Sequence, residues 1–105
     1  MSVEELVEKL MDVGMKAYKS NRKTSSDARK LDRHEPIDLP SDGVTVTCWK
    51  EFVAYKMADW VQEVVPEATV TVELKGNDTI LSLEISDEEQ LILEREFGDF
   101  LAKWG

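Results

Sequence analysis

EATVTVELKGNDTILSLEIS, residues 67–86, is the stretch that decides the fold. Two runs of alternating apolar and polar residues flank Gly76-Asn77. A two-residue loop of this composition is a preferred hairpin connection, because both residue types accept the positive φ that such turns require. The loop pairs residues whose numbers sum to 153. That register sets Val70 against Leu83 and Val72 against Leu81, with Ala68 and Ile85 continuing the same face. Thr69 with Glu84, Thr71 with Ser82 and Glu73 with Ile80 fall on the other face, and Lys75 meets Asp78 beside the turn. A slip of one residue would mix the two faces, so pattern and turn support each other. A two-stranded hairpin is marginal in water, so its apolar face requires helices.

Three segments supply them. Ser2 to Ser20 opens with Ser2 and Glu5 in the spacing of a capping box. Val3, Leu6, Val7, Leu10, Met11, Gly14, Ala17 and Tyr18 follow on one helical face. Cys48 to Val65 carries a broad apolar arc through Trp49, Val53, Ala54, Met57, Trp60, Val61 and Val64, with Thr47 as its expected N-cap and Pro66 as its end. Ser86-Asp87-Glu88-Glu89 is a second capping box. It starts a helix to about Lys103 with Leu93, Phe97, Phe100, Leu101 and Trp104 on one stripe.

Between the first two helices the periodicity lapses. Thr24 or Ser25 caps, at most, a short helix through Leu31. Pro36 and Pro40 then forbid regular helix, and Asp42-Gly43 supplies a turn. Residues 21–43 are therefore expected to form a long, mobile basic loop, uncommon inside a compact domain and often functional. Val44-Thr45-Val46-Thr47 alternates like a short strand. The expected architecture is an α+β, two-layer single domain spanning residues 1–105. Its order is N-terminal helix, long basic loop, core helix, antiparallel β-hairpin with a candidate third strand at 44–47, and C-terminal helix.

The composition, 42% apolar and 33% charged, is that of a globular chain. No run nears the roughly 20 apolar residues needed to span a bilayer, so no membrane association is expected. The first residues, MSVEELVEKL, place acids where a secretory signal carries positive charge, so no targeting peptide is expected. One cysteine excludes an intramolecular disulfide and fits a reducing, cytoplasmic setting.

The net charge of −9 disfavours non-specific binding to nucleic acid or anionic lipid by the molecule as a whole. The charge is unevenly spread. Residues 16–34 carry seven bases against two acids, whereas residues 35–105 carry sixteen acids against five bases. Arg22, Lys23, Arg29, Lys30, Arg33 and His34 are thus candidate phosphate or nucleotide ligands, since guanidinium forks match phosphate geometry. The same cations also serve as counter-charge for the acidic body. Asp87, Glu88, Glu89, Glu94, Glu96 and Asp99 form a candidate carboxylate surface for a protein partner with a basic groove.

Cys48 at a helix start and His34, the single histidine, are the only candidate nucleophile–base pair. One His and one Cys cannot build a common structural zinc site, no calcium-loop or HExxH spacing occurs, and no glycine-rich phosphate loop exists. No metal or cofactor is expected. Phe52, Tyr55, Ile80 and Ile92 miss the apolar arcs, and together with open hairpin edges they are compatible with a homodimer. The leading expectation is a small, acidic, non-enzymatic binding protein, of the kind used as accessory or inhibitory proteins by viruses and mobile elements. The alternative is a nucleic-acid or nucleotide module reading through residues 16–34. A small enzyme using Cys48 and His34 is third.

Overall fold

The computed structural model describes residues 2–20, 26–39, 43–76 and 78–104, with side chains at 2–17, 29–39, 43–76 and 78–99. Its elements follow in the order α1 (Val3–Ser20), α2 (Ser26–Asp32), β1 (Ile37–Leu39), β2 (Val44–Val46), α3 (Trp49–Val64), β3 (Thr69–Lys75), β4 (Asp78–Glu84) and α4 (Asp87–Trp104). This is the expected α+β chain. Its strands form two separate antiparallel pairs, β1 with β2 and β3 with β4.

The β3–β4 ladder has the register read from the turn, from Thr69 opposite Glu84 to Lys75 opposite Asp78. Gly76 takes φ +56°, the left-handed conformation that a tight hairpin loop needs and glycine adopts without steric cost. Ala68, Leu81 and Leu83 are buried, while Val70, Val72 and Ile85 are half-buried against the same core. The helices that cover them are α1, α3 and α4, through Leu6, Leu10, Val53, Met57, Val61, Leu93 and Phe97. Trp60 and Phe97 meet edge to face, ring centroids 6.1 Å apart, joining α3 to α4. Gly14 lets α1 approach α3. A Cβ there would stand 3.0 Å from both Met57 Cε and Val53 Cγ1.

The segment 21–43 departs from expectation. Its described part is not a loop: it holds α2 and a strand, β1, in which Ile37 pairs with Val46 and Leu39 with Val44. Three residues between prolines carry almost no periodicity, yet Pro36 fits the entry of a strand because its fixed φ suits extended backbone. Residues 44–46 accordingly pair with β1 and do not extend the long hairpin. Asp38, opposite Thr45, accepts the Thr45 hydroxyl at 2.9 Å. Leu31, Ile37, Leu39, Val46 and Trp49 form a second, smaller core, with Met15, Val44, Phe52 and Tyr55 packed on it.

Phe52, Tyr55 and Ile92 are therefore half-buried, not exposed. Phe52 and Tyr55 close the second core and Ile92 lines the first, whereas Ile80 is exposed as expected. Helix α3 begins at Trp49. Cys48, not Thr47, is its N-cap, with extended backbone and no side-chain capping bond. The Thr47 amide instead donates to Glu51 Oε2 at 2.9 Å. Trp49 Nε1 donates to Asp32 Oδ1 at 2.8 Å, tying the last residue of α2 to the first of α3.

Two stability outcomes follow from this packing. Gly14→Leu overfills the α1–α3 contact and should lower unfolding free energy by about 1–3 kcal/mol in urea titrations. Asp32→Ala leaves the indole N–H without its carboxylate acceptor and should cost about 1–2 kcal/mol. An unchanged denaturation midpoint in either variant would contradict the packing described.

Candidate functional site

The six carboxylates expected to make one surface all lie on α4, but they divide into two groups. Ser86 and Glu89 form a complete capping box. The Ser86 amide donates to Glu89 Oε1 at 2.9 Å, and the Glu89 amide donates to Ser86 Oγ at 3.2 Å. Glu89 is thereby committed to helix initiation. Glu96 sits half-buried, its carboxylate 3.9 Å from Arg95 Nε.

The other four surround an apolar side chain. Leu91 is 65% exposed, the most exposed large hydrophobic residue described. Asp87 and Glu88 lie one turn before it and Glu94 one turn after, at the i±3 and i±4 spacing that places side chains side by side on a helix. Asp99, two turns on, continues the same side. Asp87, Glu88 and Asp99 are exposed, Glu94 is half-buried, and none of the four is held by a cation among the described residues. Arg95 is the one base on this face. The sequence reading puts Leu93 on the apolar stripe and Ile92 off it, and does not single out Leu91. The signal available was its position between acids on three sides.

Among the described residues no ion pair joins the basic segment to this surface. Lys16 pairs with Asp12 at 3.3 Å on its own helix, and Arg33 Nε lies 3.9 Å from Glu35 two residues away. Arg29 and Lys30 are exposed in the last turn of α2, where cations suit the negative end of the helix dipole. Neither meets a carboxylate among the described residues. Arg22 and Lys23 lie outside the described residues.

His34 has a backbone role. It occupies φ +57° immediately after α2, where its amide donates to Leu31 O at 3.1 Å and the Glu35 amide donates to Lys30 O at 2.8 Å. This pair of bonds is a Schellman cap, with histidine at the left-handed position usually held by glycine. Cys48 is half-buried, and no hydrogen bond joins it to His34 among the described residues. No cluster of three or more His, Cys, Asp or Glu side chains that would hold a metal occurs among the described residues. No described helix is long and apolar enough to cross a membrane.

Comparison of the chain with known protein families, curated proteins and solved structures finds no match in any of the three.

His34→Gly should relieve the left-handed strain and raise stability by about 1 kcal/mol, read from the denaturation midpoint. A loss of stability would show that the imidazole contributes more than its backbone conformation.

Proposed function

We propose that this chain is a non-enzymatic binding protein that engages a protein partner of basic surface through the outer face of α4. The observation that supports this reading is Leu91, exposed among four carboxylates that no cation holds among the described residues. Association of charged surfaces is steered by complementary potential, while affinity concentrates in a few apolar anchors excluded from water by a polar rim. Leu91 suits the anchor, and Asp87, Glu88, Glu94 and Asp99 suit the rim. Inhibitory and accessory proteins that occupy basic grooves need this combination.

A second reading rests on Arg29 and Lys30, exposed and without carboxylate partners among the described residues. They suit a phosphate-bearing ligand, nucleic acid or nucleotide, at the end of α2.

The test is capture of partners by the wild-type chain, beside Leu91→Ser, a Glu88→Lys/Glu94→Lys double variant, and Arg29→Ala/Lys30→Ala. The proposal expects a protein partner whose affinity falls at least tenfold with either α4 variant and weakens with salt. Glu89 is left intact, because its reversal would break the capping box and confuse folding with binding. Retention of a nucleic acid or nucleotide that is lost only in the Arg29/Lys30 variant would favour the second reading. A partner held equally well by both α4 variants would overturn the first.

A further inference from the structure

The long hairpin is covered unevenly. On its inner face the β4 residues Leu81 and Leu83 are buried, whereas their β3 partners Val72 and Val70 are only half-buried and Leu74, further along β3, is 52% exposed. The inner face is thus sealed more completely on β4 than on β3, leaving a partly exposed apolar stripe along the β3 side of the sheet. Helix α3 packs against both strands and α1 against β4, and Lys50 of α3 reaches Asp78 at the start of β4 at 3.3 Å.

The β3 edge is open in hydrogen-bonding terms, as is the β4 edge among the described residues. In a hairpin with a two-residue loop the pair flanking the loop exchanges both ladder bonds, and hydrogen-bonded and non-bonded pairs then alternate. The main-chain groups of Val70, Val72 and Leu74 therefore point away from β4. Gln62 Nε2 donates to the carbonyl of Ala68 at 2.6 Å, meeting this edge only at its beginning. No other backbone bond to the edge occurs among the described residues.

We infer that β3 pairs with β3 of a second copy of this chain, antiparallel about Val72, to give a continuous four-stranded sheet. The strand is complementary to itself in that register. Val72 meets Val72 of the second copy, and Val70 meets Leu74, so each exposed Leu74 gains an apolar cross-strand neighbour. On the other face Thr71 meets Glu73 and Thr69 meets Lys75, with no like charges opposed. Glu73 already has Lys75 of its own strand 3.8 Å away. Strand β4 lacks this property. Centred on Leu81, it would set Asp78 against Glu84 at both ends, a destabilising like-charge opposition. The outward-pointing groups of β3 are also those that form hydrogen-bonded pairs in the proposed register; both edges offer such groups, and apolar surplus and charge select β3.

The full chain is tested by sedimentation from about 1 μM to about 1 mM, the range in which a small interface dissociates. A dimer fraction that rises with concentration is expected. Each copy carries −9, so salt should strengthen this association by screening repulsion, opposite to its effect on a basic partner at α4. Leu74→Lys should leave the chain monomeric with an unchanged circular dichroism spectrum, since a lysine at an edge opposes strand addition. Independently, Val72→Cys in a Cys48→Ser background should oxidise to a linked dimer, because a hydrogen-bonded pair sets Cα atoms about 5.5 Å apart, within disulfide reach. Ile80→Cys in the same background, on the outer face of β4, should not. A chain monomeric throughout, a dimer that survives Leu74→Lys, or crosslinking at 80 in preference to 72 would overturn the proposal.

Discussion

The structure depends on α3 having two apolar faces. Along one side Val53, Met57 and Val61 enter the core shared with α1, α4 and the long hairpin. At the N-terminal end Trp49, Phe52 and Tyr55 turn to the small core under β1 and β2. Trp49 and Phe52 stand edge to face with centroids 5.8 Å apart, an arrangement that suits the ring quadrupoles. Phe52 touches both cores and carries Lys56 Nζ 5.5 Å above its ring. A helix so enclosed has few positions left for water. This is why aromatic residues that miss a single apolar arc are nonetheless covered.

Legibility in the sequence followed the range of the interactions. The long hairpin was readable to the residue because its turn and its alternation are local and redundant. The three long helices were readable from 3.6-residue spacing, and α1 and α4 also from their capping residues, whereas Thr47 does not cap α3. Strand β1 was not, because IDL between two prolines has no pattern of its own and exists through Val44–Val46 and the apolar floor of Leu31 and Trp49. The split of α3 was hidden for the same reason, since a helical wheel assumes one core. On α4 the acids were evident, but their division was not. Sequence spacing marks Glu89 as a capping residue without saying that Leu91 turns outward while Ile92 and Leu93 turn inward.

The charge pattern has a structural logic of its own. Carboxylates at Glu51 and Glu89 satisfy backbone amides at helix starts, and those at Asp12, Glu35, Glu73 and Glu96 lie beside cations close in sequence. These pairs are exposed or half-exposed, and such contacts contribute little individually. What distinguishes the outer face of α4 is that acids without such roles among the described residues gather there around an exposed apolar side chain.

Among the described residues the small core is assembled almost wholly from residues 31–55, with Met15 as its one distant contributor. Short chain separations make loop closure cheap in entropy, so α2, β1, β2 and the first turns of α3 can come together without waiting for the long hairpin. The reverse also holds. Besides the continuous helix α3, the described residues that pack on both cores are Met15 and Phe52. The chain therefore contains a seam along which one part can open while the sheet and its three helices stay closed, and a fluctuation at the α2 end need not disturb either edge of the hairpin.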